Sequence, residues 1–430
     1  MTFTWRAVVL AALGVPVVLV LPAAGTVLVW TLVVAAVCVV DAALAASPRQ
    51  VAVERDVPVS VRLTEPADST LVVTNVGRRR LRAVVRDAWP PSASAQTDRH
   101  AVDVPPGEGR RLRTTLVPTR RGDAHADRVT IRTSGPLGVS GRQASLTVPG
   151  RLRVLPEFAS RRHLPSRLAR LRELDGRAAV QVRGPGTEFD SLREYVIGDD
   201  VRAIDWRATA RRGDVVVRTW RPERDRRVMI VLDSARTSAV RVLDAPRIDA
   251  SIEAALLLSA LAGRAGDRVE LLAFDRRVRA RAAGVSGARL MPALADALAN
   301  VHPELVETDW AGVVGDVRRR MSQRALVVLL TALEPAAVEQ GLLGVVGQLT
   351  ERHQVVLASV QDPEVDALRA GRGDAAAVFD AAAAERAGLE RAAVAQRLRQ
   401  RGVEVLEALP DELAPRLADT YLALKAAGRL

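Results

Sequence analysis

Residues 7–40 carry no charged side chain. No other feature of the chain constrains its folding so strongly, because an apolar run of that length needs a bilayer to cover it. As a single helix it would reach about 50 Å at 1.5 Å per residue, against about 30 Å for a bilayer's hydrocarbon core. Pro22-Ala23-Ala24-Gly25 falls in the middle, and proline with glycine signals a turn. The run therefore predicts a transmembrane helical hairpin within residues 1–47, with helices from Trp5 to Leu21 and from Thr26 to Ala43. Trp5 suits one interface. The turn is uncharged, whereas Arg6 lies on one flank and Arg49 and Arg55 on the other. The positive-inside rule then puts both flanks in the cytosol. The expectation is a multi-pass protein of the inner membrane whose soluble domains are cytosolic. A cleaved signal peptide is the alternative, since Leu21 to Gly25 is similar to a small-residue cleavage site.

The chain's 430 residues exceed one ordinary core. Its net charge of +12 comes from arginine, Lys425 being the only lysine. The arginines are scattered in short groups, such as Arg78 to Arg80, Arg110 with Arg111, and Arg226 with Arg227. Aromatics make up only 3% and leave little surface for stacking bases. This charge reads as a membrane-facing or partner-facing surface, and no nucleic acid is expected. Cys38 is the single cysteine, which excludes an intrachain disulfide or a cysteine-based zinc site. The five histidines show no metalloprotease pairing, and the chain has no Walker lysine and no Gly-x-Ser-x-Gly elbow. No enzyme, cofactor or metal is expected.

From Val51 the periodicity changes. Val51, Val53, Val57, Val59, Val61 and Leu63 alternate with polar residues, and Leu71 to Thr74 runs into the turn Asn75-Val76-Gly77. Leu81 to Val85, Arg111 to Val117, Arg128 to Thr133 and Ala144 to Val148 read as further strands. Short strands punctuated by Gly, Pro and Asp predict an immunoglobulin-like β-sandwich over residues 48–156. Residues 157–226 read as a basic helix followed by a distinct loop. Leu164, Leu168 and Leu171 are helically spaced among arginines, which suggests a solvated linker helix, or one lying on the sandwich or the membrane surface.

The loop packs acids and arginines around three aromatics: Gly186, Glu188, Phe189, Arg193, Tyr195, Gly198, Asp199, Asp200, Arg202, Asp205, Trp206 and Arg211. Arg193 and Arg202 can pair with Asp199, Asp200 or Asp205 in fork geometry. Glycines at 186 and 198 permit turns that a side chain would block. The expectation is a structural, partly buried loop braced against the first strand of the following domain. The rival reading is acid/base chemistry by its carboxylates.

The segment Gly186 to Arg211, GTEFDSLREYVIGDDVRAIDWRATAR, resembles the signature of the domain of unknown function 58 family. The apolar hairpin, the β region and the tail from Arg401 to Gly428 are similar to that family too, so the resemblance covers nearly the whole chain. It implies a membrane-anchored protein with a von Willebrand factor A-like domain. It also implies a MoxR-type AAA+ ATPase as partner and a role in complex assembly or maturation. An envelope structural protein is a further alternative.

The residues themselves point to an α/β fold over 227–430. Arg227 to Asp233 reads as a buried strand ending in an acid. Val269 to Phe274, Ala325 to Thr331, His353 to Val360 and Glu404 to Leu406 are further strands, with helical stretches between them. Strands alternating with helices predict a doubly wound parallel sheet. The von Willebrand factor A-like resemblance implies a Mg²⁺ site beginning Asp-x-Ser-x-Ser. Here that motif reads Asp233-Ser234-Ala235-Arg236-Thr237, and Thr331-Ala332-Leu333 lacks the later acid. Asp233, Ser234, Thr237 and Thr331 are thus the positions of a degenerate metal site, and Arg236 is expected to pair with Asp233 in the cation's stead.

Overall fold

A computed structural model describes residues 1–181, 188–221 and 226–430, in two compact units, Met1–Glu157 and Phe158–Leu430.

The first unit opens with a two-residue strand, β1 (Thr2–Phe3), and the apolar helices α1 (Trp5–Ala12), α2 (Gly14–Val20) and α3 (Ala24–Leu44). The α3 region is long and apolar enough to cross a membrane, whereas Trp5–Val20 is a shorter apolar stretch. Gly14 lets α2 pass Trp30 of α3, because a Cβ there would overlap the indole.

The β region follows as β2 (Val51–Asp56), β3 (Ser60–Arg62), β4 (Ala67–Asn75), β5 (Leu81–Asp87), β6 (Arg99–Val104), β7 (Gly109–Leu116), β8 (Gly122–Ser134) and β9 (Ser140–Leu155). Three strands form one sheet in the order β2-β4-β7, and the other runs β1-β9-β8-β5-β6 with β3 beside β9. Alternation builds the core: Leu71 and Val73 of β4, Leu81 and Val85 of β5, and Val129 and Ile131 of β8 share one buried cluster. The sequence pattern missed β6 and shortened β8 and β9. A register shift between Ala126 and Arg128 interrupts the β8–β9 alternation, and Pro149-Gly150 lies inside β9. Gly150 leaves room for the buried Arg55 side chain, which pairs with Asp87. The other Asp87 oxygen accepts from Ser69 Oγ at 3.0 Å and Trp89 Nε1 at 2.9 Å.

The second unit begins with α4 (Leu164–Gln181). This helix is not a free linker. Leu171 is buried in the α/β core, with Leu164, Leu168 and Leu174 packed against it. Arg167 and Arg170 both reach Asp419, at 2.9 and 3.0 Å. The leucine stripe that the sequence shows is therefore a packing face. Next come β10 (Glu188–Glu194), α5 (Trp206–Arg212) and β11 (Val216–Arg221), with β10 and β11 paired antiparallel as a two-stranded sheet.

The large sheet uses β12 (Arg227–Asp233). A small ribbon, β13 (Arg241–Val242) with β14 (Ala245–Pro246), precedes α6 (Arg247–Arg264). Then follow β15 (Arg268–Phe274), β16 (Val278–Ala282), α7 (Leu290–Ala299), α8 (Trp310–Arg320) and β17 (Leu326–Leu330). Short helical turns α9 (Pro335–Ala337), α10 (Leu343–Val345) and α11 (Gly347–Thr350) lead to β18 (Gln354–Val360). The chain continues with α12 (Pro363–Ala370), α13 (Ala375–Gln400), β19 (Val403–Ala408) and α14 (Pro410–Ala426). Strand order is β16-β15-β12-β17-β18-β19, with every pairing parallel except β15–β16. Helices cover both faces. Val228, Ile230 and Leu232 of β12 face the α6, α7 and α14 side, while Met229 and Val231 face the α8 and α13 side. Burial on both faces explains the continuous apolar run in the sequence.

Candidate functional site

β12 delivers Asp233 to the carboxyl end of the sheet's interior, where the chain must leave the strand. The residue is 2% exposed, and its two carboxyl oxygens accept four donors from three loops. Oδ1 takes the Ala235 N–H at 2.9 Å and the Thr308 hydroxyl at 2.8 Å. Oδ2 takes the Thr331 hydroxyl at 2.6 Å and the Thr237 hydroxyl at 3.4 Å. Ser238 Oγ closes the turn on the Asp233 carbonyl at 2.7 Å. Burial pushes the Asp233 carboxyl above the usual carboxylate range, and the hydroxyl and amide donors only partly offset that.

The segment between α7 and α8 lies across these strand ends. Glu304 N–H donates to the Ser234 carbonyl at 2.8 Å, and Arg236 N–H to the Val306 carbonyl at 2.9 Å. Its outward side carries Leu305, 83% exposed. Next to Asp233, at the end of β15, Asp275 is fully buried. It accepts from the Arg277 N–H at 3.1 Å and from the Arg279 guanidinium. Arg236 corrects the sequence expectation: it pairs with Glu307, and hydroxyls rather than a guanidinium satisfy Asp233. Arg236 belongs to the 3-10 turn after β12 and is half exposed, whereas the carboxyl it was expected to meet is enclosed.

Three of the four degenerate-site positions converge, as Asp233, Thr237 and Thr331. Ser234 is buried alongside them, its hydroxyl without a partner among the described residues. Sequence reasoning missed Thr308. The available signal was Asp309, an N-cap acid that accepts the Gly312 N–H at 3.0 Å and so places a loop end just before α8. The donors around this carboxyl are three hydroxyls and one backbone amide, all supplied by the chain itself. Among the described residues, no three His, Cys, Asp or Glu side chains cluster to hold a metal.

The signature residues are gathered in a separate two-stranded module. Gly186 lies outside the described residues, and Glu188 and Phe189 contribute backbone to β10. Arg193 pairs with Asp199 at 2.5 Å, which holds the guanidinium further toward its charged form. Tyr195 N–H donates to the Val215 carbonyl at 2.8 Å. Gly198 turns at φ 110°, and Asp199 Oδ2 accepts the Val196 N–H at 2.9 Å. Asp200 caps the following turn through the Arg202 N–H at 2.9 Å. Asp205 caps α5, accepting the Arg207 and Ala208 N–H groups at 3.0 Å each, while Arg218 Nε donates to its other oxygen at 2.8 Å. The Ala208 bond first, and Arg218 second, hold the Asp205 carboxyl below the usual range.

Two expectations about this loop need correction. Among the described residues, Arg202 forms no ion pair. The apolar residues divide: Leu192 and Ile204 are half-buried, whereas Trp206 is 69% exposed. Arg211 is exposed on α5. Asp199, Asp200 and Asp205 serve as caps and turn anchors, and Asp199 and Asp205 each give their other oxygen to an arginine.

Fold and site together define an α/β domain with a mostly parallel sheet and a hydroxyl-lined carboxyl at its strand ends. Residues 191–404 match the family described as "Protein of unknown function DUF58", a span just under half of the chain. That match is narrower than the nearly full-length resemblance read from the sequence. The chain is also 26% identical over 185 residues to uncharacterized proteins of Mycobacterium bovis and Mycobacterium tuberculosis, across 42% of this chain and 57% of each relative. The chain thus spans little more than half the length of those relatives. Solved structures similar to part of it include the CARDB domain of a Pyrococcus furiosus protein, at 18% identity and TM-score 0.19 over 24% of this chain and 91% of that one. A FixG-related protein of Vibrio parahaemolyticus is another, at 15% identity and TM-score 0.16 over 24% and 94%.

Proposed function

We propose that this chain is a membrane-anchored protein-binding module whose α/β domain is von Willebrand factor A-like and engages its partner without a metal. One observation carries the reading. The Asp233 carboxyl ties three separate loops into a fixed surface at the strand ends. Open α/β sheets place their binding crevice there. The surface presents Leu305 on a loop whose backbone is held from beneath. The strand order, with one antiparallel edge strand, favours the von Willebrand factor A-like assignment. The resemblance of the signature favours a MoxR-type AAA+ ATPase as the partner and complex assembly as the role.

The anchor is read as a hairpin. Thr4, before α1, and Asp41, near the end of α3, both bond to the turn around Val139, so the apolar stretch leaves the β region and returns to one place. Arginines flank it on both sides, which favours cytosolic soluble units. A C-terminal reporter active only in the periplasm is expected to stay silent. For the partner surface, the detergent-solubilised full chain is used as bait against the purified ATPase. Leu305→Asp is expected to abolish capture without shifting the melting temperature. Undiminished capture by that variant would remove the strand-end surface from the interface.

A further inference from the structure

The end of the β unit that receives the apolar helices is tied to them by packing and by hydrogen bonds. The turn between β8 and β9 inserts Val139 between Ala7 of α1 and Cys38 of α3, and all three are buried. Asp41, fully buried, accepts the backbone N–H groups of Leu137, Val139 and Ser140, each at 2.8 Å. Gly135 is needed here, because a Cβ would overlap Asp41. On the N-terminal side, Thr4 donates its N–H to the Val139 carbonyl at 3.0 Å and its hydroxyl to the Gly138 carbonyl at 2.7 Å. The turn after β4 joins the same end, with Val76 N–H donating to the Gln50 carbonyl at 3.1 Å.

Three exposed arginines surround this junction. Arg6 donates to the Leu137 carbonyl at 3.2 Å, Arg79 to the Ala43 carbonyl at 2.5 Å, and Arg132 to the Phe3 carbonyl at 2.5 Å. Each contact uses one nitrogen of a guanidinium that carries five N–H donors. Among the described residues none of the three has an acidic partner, although Arg80, next to Arg79, pairs with Asp103 at 2.6 Å. Exposed apolar side chains stand beside them: Phe3, Trp5 and Leu137, with Val76 on the neighbouring turn. The Arg6 guanidinium lies 6.0 Å from the centre of the Trp5 ring.

Cations without acids, beside aromatic and aliphatic side chains, at the point where apolar helices leave a domain, match the chemistry of a lipid headgroup layer. Guanidinium forks fit phosphate. Tryptophan settles at the headgroup level. Asp41 fixes this surface to the final turns of α3, so wherever that helix sits in a bilayer the arginines lie against its surface.

We infer that this end of the β unit is a binding surface for acidic phospholipids, with Arg6, Arg79 and Arg132 as the headgroup ligands. The inference rests on the membrane-anchored reading above, and the test separates the two. Flotation of the full chain with neutral phosphatidylcholine vesicles tests anchoring alone. Native mass spectrometry of the detergent-solubilised full chain, with phosphatidylglycerol and phosphatidylcholine added in competition, tests the headgroup site. The expected result is retention of phosphatidylglycerol over phosphatidylcholine, weakened by salt and reduced about fivefold for each of Arg6→Gln, Arg79→Gln and Arg132→Gln. The variants are expected to float with neutral vesicles as the native chain does. Equal retention of both lipids by the native chain, with flotation intact, would overturn the headgroup site and leave the anchor standing. That comparison needs no variant to fold. Failure to float would overturn the anchor and the headgroup site together.

Discussion

Thr308 donates its hydroxyl to Asp233 across 2.8 Å, although 75 residues separate the two in sequence. With Thr331 at 2.6 Å on the other oxygen, the carboxyl is held between loops from opposite sides of β12.

Asp233→Ala would leave the buried Thr331 hydroxyl and the half-buried Thr308 hydroxyl without their acceptor. A loss of about 3 kcal/mol is expected, within the range for orphaning buried polar groups. Asp233→Asn keeps an acceptor and is expected to lose much less. The pH dependence has a definite sign. Burial raises the carboxyl in the folded chain, so the folded form holds its proton more tightly than the unfolded form does. This contribution to stability is complete below the unfolded value of about 3.9 and is lost as pH rises through the raised folded value. Denaturant melts across that interval are expected to show a decline for the native chain and a flatter profile for Asp233→Asn.

Mg²⁺ is expected to leave the melting temperature unchanged, because an ion that bound only the folded form would raise it. Thermal melts with Mg²⁺ titrated to millimolar concentration check this. A saturable rise that Asp233→Ala abolishes would show that the hydroxyl cluster accepts a cation after all.

Asp205 acts at the opposite end of the pH scale. Its carboxyl is held below the ordinary range by the Ala208 N–H and by Arg218, so its contribution is present above about 3.9 and is lost as pH falls through the lower folded value. Asp205→Asn retains a capping oxygen but not the charge. Acid melts are expected to show that variant losing the low-pH part of the native chain's decline while matching its helix content at neutral pH.

In the β unit, Asp87→Ala strands the buried Arg55 guanidinium. Removing one partner of a buried ion pair costs about 3 to 5 kcal/mol. Calorimetry of the full chain is expected to show the transition of the β unit moving down and that of the α/β unit staying in place. An unmoved transition would mean that the carbonyls of Ala126 and Val148 suffice for Arg55.

Much of the fold was legible because burial leaves a period in the sequence. The run Arg227–Asp233 is a strand covered on both faces, and such strands are apolar throughout. β4 and β5 alternate because each turns one side to the core. Leu164, Leu168 and Leu171 announced a packing face but not what it would meet, since spacing fixes a helix stripe and says nothing of its partner. The edge strand β16 left little trace, with Arg279 and Arg281 in a five-residue strand. For the site, the strand-end acid and two of its hydroxyl donors could be named in advance. Thr308 was harder: Asp309 marks the loop end before α8, but that the loop reaches Asp233 is settled only by the tertiary fold. The Arg236 error has the same origin: adjacency in sequence favoured Asp233, and the loop supplied Glu307 instead.

The carboxyl of Asp41, set inside α3 and bonded to three backbone amides of the β region, leaves no slack between helix and sheet. If α3 is anchored in a membrane as proposed, the β unit becomes a lever rather than a tethered ball, and it would not sweep a hemisphere around its attachment point as a domain on a flexible leash does. Tilting or rotating the helices would turn the sheets by the same angle, and two copies meeting by lateral diffusion would present edges already at a common height above the bilayer.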